Sequence, residues 1–212
     1  MNPRTVRESV AGPAGRIECA IDRTAAAPRG FALVCHPHPQ GGGTLDNKVV
    51  QTVARAFLQL GWSSVRFNFR GVGASEGVWG EGVGEVDDAI AVLAHWRSRP
   101  EFATLPFCLA GFSFGGFVAA EVAHRLPEDA RPRRILLIGP STEKQAVPAV
   151  PADTVVIQGE TDDIVPLGAT LDWARPQNLP VIVFPGVGHF FHGQLALLKS
   201  VIVRELHDLD AV

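Results

Sequence analysis

Short apolar runs of strand length alternate along the chain with segments whose apolar residues recur every three or four positions. The runs lie at about 30–35, 62–69, 106–110, 134–138, 154–158 and 180–184, and the first of them, Gly30-Phe31-Ala32-Leu33-Val34-Cys35, is unbroken. Unbroken apolar stretches of this length suit strands buried on both faces. Helical spacing appears between them. A helix is expected from about Leu45, with Thr44 or Asp46 as its cap and Val49, Val50, Val53, Phe57 and Leu58 on one face, ending at Gly61. Others are expected over about 82–98, with Val86, Ile90, Leu93 and Trp96 as a core stripe, and over 117–126, 167–174 and 191–209. Two extended segments, 5–10 and 16–22, flank the turn residues Gly12-Pro13-Ala14-Gly15 and predict an antiparallel hairpin at a sheet edge. Strand and helix in alternation predict an α/β fold, a mostly parallel sheet covered on both faces. The stretch 139–153 carries three prolines and is too short to hide a helical lid.

Composition narrows the class. With 212 residues, 46% hydrophobic and 19% charged, the chain suits one globular domain spanning 1–212. Net charge is -3 and the basic residues are scattered, so no nucleic-acid footprint is expected. The one basic cluster, Arg131-Pro132-Arg133-Arg134, falls between a helix end and a strand start, where a solvated connection is expected. Cys19, Cys35 and Cys108 are odd in number, and the last two fall in expected buried strands; they read as core thiols in a reducing, cytoplasmic compartment. Residues 1–10 include Arg4, Arg7 and Glu8 and lack the apolar region of a secretory signal. Residues 104–120 are uncharged, but Pro106 and three glycines favour a buried strand and turn over a membrane span.

The chemistry concentrates in one stretch. The apolar run 106–110 leads into Gly111-Phe112-Ser113-Phe114-Gly115-Gly116 and then a helical pattern, so Ser113 stands at the apex of a strand–turn–helix elbow. Gly111 and Gly115 allow strand and helix to cross closely, and the Phe114 N–H points at the same spot as the serine hydroxyl. A serine attacks at neutral pH only if a base takes its proton and an acid holds that base. In a parallel sheet, functional groups gather at the carboxyl ends of the strands. The loops expected there present Ser113, the acidic pair Asp162-Asp163, and His189, in that order. His189 follows Gly188 directly after the last strand, whereas His192 lies a turn into the helix, so His189 is the better base. A second backbone donor for an oxyanion is expected in the loop after Cys35, where Pro37 and Pro39 have no N–H, leaving His38, Gln40 and Gly41. His36 and His38 are spaced as a His-x-His pair, yet no further ligands stand nearby; they are expected to shape the loop, with no metal and no cofactor. Gly71-x-Gly73 lacks both a third glycine at dinucleotide spacing and a P-loop lysine, so nucleotide binding is not expected. Glu76, Trp79, Phe112, Phe114 and Phe190 are open between pocket lining and plain packing.

The ordered set of motifs, His36-Pro-His-Pro-Gln-Gly-Gly, Asn68-Phe-Arg-Gly-Val-Gly-x-Ser-x-Gly, Gly111-Phe-Ser-Phe-Gly-Gly, Gly159-Glu-Thr-Asp-Asp-Ile-Val-Pro and Gly188-His-Phe-Phe-His-Gly, resembles the α/β-hydrolases. More narrowly it is similar to small lidless bacterial hydrolases related to dienelactone hydrolases and the prolyl-oligopeptidase catalytic domain, over about residues 5–208. The resemblance implies a serine hydrolase acting through an acyl-enzyme on a small-molecule ester or related acyl bond. It implies Asp162, the first aspartate of Gly-x-x-Asp-x-x-Val-Pro, as the triad acid beside Ser113 and His189. By the same likeness His38 is first choice as partner to Phe114 in the oxyanion hole. Thioesterase, peptidase and acyltransferase chemistry use the same constellation, and a binding protein on this fold is the alternative from another class. Oligomeric state stays open.

Overall fold

The computed structural model describes residues 5–209. Eight strands form one sheet: β1 (Thr5–Gly12), β2 (Gly15–Asp22), β3 (Phe31–Cys35), β4 (Ser63–Phe67), β5 (Phe107–Phe112), β6 (Arg134–Ile138), β7 (Val155–Gly159) and β8 (Val181–Phe184), in the order β1-β2-β4-β3-β5-β6-β7-β8. Strands β3 to β8 are mutually parallel; β1 and β2 form the expected hairpin at the edge, with Gly12 opposite Gly15, and β2 joins β4 antiparallel. Helices α1 (Lys48–Gln59), α2 (Val83–Arg97), α3 (Phe114–Arg125) and α4 (Leu167–Ala174) lie in crossovers, and α5 (Leu195–Glu205) follows β8.

Alternation along the strands divides the core in two. Phe31, Leu33 and Cys35 of β3 face a layer that includes Val86, Trp96, Val118 and Val122 from α2 and α3. Ala32 and Val34 face the opposite layer, with Val53 and Phe57 of α1 and Leu198 and Ile202 of α5. Both faces are therefore apolar, which is why the strands read as unbroken runs. The expected buried thiols are buried and free, and desolvation raises the pKa of each, that of Cys19 to about 12. Among the described residues no helix is long and apolar enough to cross a membrane. No helix lies between β6 and β7.

Three boundaries differ from expectation. The cap of α1 is Asn47, whose Oδ1 accepts from the N–H groups of Val49 and Val50, and neither Thr44 nor Asp46 serves. Asp46 is taken by Arg7 and Arg66, and the Thr44 hydroxyl by the Asp46 N–H. Helix α3 begins at Phe114, three residues earlier than its apolar pattern, because the elbow feeds straight into the first turn. The last helix runs Leu195–Glu205 and not over 191–209: Phe191 has φ 51° and Gly193 φ 73°, a left-handed conformation that cannot continue a right-handed helix.

Candidate active site

Ser113 lies between β5 and α3 with φ 56° and ψ -120°, a region that costs any residue with a Cβ. The turn is held from all sides. Ser113 N–H donates to the Ile138 carbonyl at 2.9 Å, and its own carbonyl accepts from Gly116 at 2.9 Å and Ser141 at 3.2 Å. A Cβ on Gly111 would stand 2.0 Å from the Gly115 carbonyl oxygen, and one on Gly115 2.3 Å from that of Cys35. Glycine is the residue that fits at both. Phe114 is the first residue of α3, so its N–H has no partner within the helix and sits at the positive end of the dipole.

Asp162 and His189 meet across the ends of β7 and β8. His189 Nδ1 stands 2.7 Å from Asp162 Oδ2, and both side chains are almost wholly buried. The other carboxylate oxygen, Oδ1, accepts from Ile164 N–H at 2.9 Å and Val165 N–H at 2.8 Å. Asp163 is exposed and faces a neighbouring cleft; His192 is exposed and stacks on Phe190. Of each rival pair, one member meets the other and one does not. Phe112 backs the imidazole of His189 from the sheet side at a ring separation of 4.8 Å.

The loop after β3 contains a short 3-10 turn over Pro39–Gly41 in the stretch expected to be irregular. That turn uses up one candidate donor: Gly41 N–H donates to the His38 carbonyl at 3.0 Å. Gly43 N–H donates to the same oxygen, and a Cβ on Gly43 would lie 2.0 Å from the Pro37 carbonyl oxygen. Gln40 is exposed and lies off the cleft. His36 is wholly buried; its Nδ1–H donates to the Pro37 carbonyl and its Nε2 accepts from Phe69 N–H at 3.1 Å. Since the Phe69 group can only donate, the proton must sit on Nδ1, and burial holds the pKa of this imidazole down at about 3. His36 ties the loop to the end of β4. Among the described residues no group of three or more His, Cys, Asp or Glu is placed to hold a metal ion.

These parts line one cleft of about 480 Å³, bounded by Pro37, His38, Gly41, Gly42, Gly43, Asn47, Ser113, Phe114, Ser141, Lys144, Ile164, His189 and Phe190. Lys144 is the charged side chain of that lining, and no carboxylate belongs to it among the described residues. Burial pulls the His38 imidazole below its ordinary value, with Glu85 acting against this and Lys144 with it. Of the five residues left open by sequence, Phe114 and Phe190 line the cleft, and Trp79 packs behind it against His38 and Phe114. Phe112 is buried, and Glu76 pairs with Arg16 far along the hairpin edge. Lys144 was not singled out by sequence and no local pattern marks it, since it enters the cleft from a loop whose path the fold decides; Ile164 stands in the motif over residues 159–166 but was given no role there. The Gly71-x-Gly73 loop is a structural turn, pinned where Glu18 accepts from Ala74 N–H and Asn68.

Comparison with known proteins agrees with this architecture. Residues 27–181 match the family described as serine aminopeptidase, S33. An α/β serine hydrolase homologue from Coxiella burnetii is 36% identical with a TM-score of 0.87, the alignment covering 95% of this chain and 97% of that one. A Xanthomonas campestris protein described as an α/β serine hydrolase without a lid is 34% identical, TM-score 0.88, covering 97% and 95%. An uncharacterized protein of Rickettsia prowazekii (strain Madrid E) is 35% identical over 160 residues, 73% of this chain and 66% of its own length.

Proposed function

Because the chain belongs to the serine aminopeptidase S33 family of α/β-hydrolases, we propose that it is a serine hydrolase cleaving a carboxylic ester or related acyl bond of a small molecule through a Ser113-His189-Asp162 triad. The observation that carries this reading is the 2.7 Å contact between His189 and Asp162, with His189 and Ser113 lining the same cleft. Ser113 Oγ attacks the carbonyl carbon while His189 Nε2 takes its proton; the imidazolium is steadied through Nδ1–H by Asp162. The negative charge that develops on the carbonyl oxygen meets the N–H of Phe114 and that of His38, the loop candidate left once Gly41 is spent in its turn and Gln40 lies off the cleft. Collapse breaks the bond to the leaving oxygen, which receives the proton from Nε2. Water then attacks the acyl carbon with the same imidazole as base, and the bond to Ser113 Oγ breaks as Nε2 returns the proton to the serine, releasing the acid.

The lining suits an uncharged acyl group, with Lys144 as its charged side chain and the Asp163 carboxylate in the neighbouring cleft beyond Phe190. Pro37, Phe114, Ile164 and Phe190 give apolar walls for the acyl group, and Gly41 to Gly43 leave one side without bulk.

The test is turnover of p-nitrophenyl acetate with labelling by a fluorophosphonate probe. Ser113→Ala should abolish labelling and lower kcat by about 10⁶-fold. Unchanged turnover in that variant removes the serine from the mechanism.

A further inference from the structure

Gln158, the fourth residue of β7, is wholly buried directly beneath the acid of the proposed triad. Its Nε2 donates to Asp162 Oδ2 at 2.9 Å and to the Val165 carbonyl at 2.9 Å; its Oε1 accepts from Thr170 Oγ1 at 3.1 Å. Thr170 is buried in α4, and its hydroxyl lies 3.3 Å from that of Thr142 in the segment that also supplies Ser141 and Lys144 to the cleft. Carboxylate and carbonyl are both acceptors, so the amide can face them only with its NH₂ group, and its orientation is chemically forced. Asp162 Oδ2 thus receives the Gln158 amide N–H beside the Nδ1–H of His189.

We propose that Gln158 is a positioning residue for the reaction, resting on the triad reading above: it fixes Asp162 Oδ2 and sets how strongly that oxygen holds the His189 proton. The mechanism is electrostatic as well as steric. An amide N–H on Oδ2 draws off part of the charge that the imidazolium would otherwise feel, and it keeps the carboxylate plane from turning about its Oδ1 anchors. The titratable groups of this network are Asp162 and His189; Lys144 lines the cleft with His189 from the segment that carries Thr142, Asp163 is exposed next door, and Glu160 is turned onto the Gly186 N–H. The two threonines extend the hold to the loop after β6, so that the acid, the base and one wall of the cleft share a hydrogen-bonded frame.

Gln158→Met keeps the length of the side chain and removes the donor; Thr170→Val leaves the amide and removes what orients it. Purified variants are assayed with p-nitrophenyl acetate as full pH profiles of kcat and kcat/KM, alongside wild type and Ser113→Ala. With the Asp162 plane free to turn once this hydrogen bond to a charged group is lost, Gln158→Met should lower kcat by about 10–100-fold with KM within about twofold, misalignment of His189 outweighing the stronger pull on the imidazolium. The acid limb of kcat/KM should move up by about half a pH unit, because the unshared carboxylate stabilises the imidazolium. Thr170→Val should move both in the same direction by less, about 3–10-fold in kcat, and decides the question if Gln158→Met does not fold. Wild-type kcat and an unmoved acid limb in folded Gln158→Met, or in Thr170→Val where only that variant folds, overturn the proposal for Gln158. Full activity in Ser113→Ala is a different failure, that of the triad itself.

Discussion

Asp162 faces two ways: its Oδ2 takes the Nδ1 side of His189 at 2.7 Å, and its Oδ1 takes the backbone N–H groups of Ile164 and Val165. Asp162→Asn should therefore be far worse than a lost charge suggests. The two backbone donors demand an oxygen on their side, so the new NH₂ takes the place of Oδ2, where it meets the Gln158 amide donor to donor and pushes the imidazole proton onto Nε2, blocking abstraction from Ser113. A fall in kcat of about 10⁴-fold is expected, as in serine proteases carrying the equivalent change. Asp163→Asn should stay within about twofold. Esterase kinetics on both variants check the pair, and a reversed ranking would move the acid to Asp163.

The backbone of Ser113 is held at a positive φ. Ser113→Gly should be more stable than Ser113→Ala by about 1 kcal/mol, since glycine adopts φ 56° freely, while both are inactive. In a chain of this size that difference raises the melting temperature by about 2–4 °C, readable by calorimetry. Equal melting temperatures would mean that the elbow stores no strain.

Gly115→Ala should cost about 3 kcal/mol or more, because the added Cβ would lie 2.3 Å from a backbone oxygen of β3 and neither element can retreat. Chemical denaturation measures it. A loss below 1 kcal/mol would show that α3 can shift away from the sheet.

His36 makes stability depend on pH. Its folded pKa lies near 3, below the ordinary 6.5, so between those values the unfolded chain binds a proton that the folded chain refuses. This contribution is complete above pH 6.5 and is lost as pH falls toward 3, at about 1.4 kcal/mol per pH unit. Unfolding free energies at pH 7 and pH 5 should fall more steeply in wild type than in His36→Asn; parallel slopes would contradict the buried neutral imidazole.

Phe190 stands between the cleft that holds Ser113 and a second one of about 510 Å³ lined by Pro185, Gly186, His192 and Gln194. The residue is 44% exposed, with its ring against Phe112, His189 and His192 at the rim of the cleft, so truncation should spare the fold. Phe190→Ala should join the two spaces and shift preference toward longer acyl chains, with kcat/KM for acetate esters falling about tenfold as one apolar wall is lost. A graded series of p-nitrophenyl esters reads the shift, and an unchanged profile would take Phe190 out of the acyl-binding wall.

The architecture was legible because it rests on local rules: unbroken apolar runs, helical spacing between them, and glycines where backbones cross. The elbow could be read from Gly111 to Gly116 for the same reason, since the steric demand and the residues that meet it are neighbours in the chain. The cap of α1 was misplaced because distant groups intervened, Arg7 and Arg66 claiming Asp46 and leaving Asn47 to start the helix, whereas the ends of α3 and α5 were set by local backbone turns at Ser113 and at Phe191 and Gly193.

Order along the chain set the reaction class and a short list of residues, for a nucleophile, acid and base must each sit at the end of a parallel strand to share one edge. The pattern Gly-x-x-Asp-x-x-Val-Pro already pointed to Asp162 over Asp163, whereas which loop N–H groups are already spent, and that Gln158 and Lys144 lie at the site at all, were decided by packing. Those outcomes depend on loops crossing in space at the strand ends, and such contacts leave no periodic trace in the sequence.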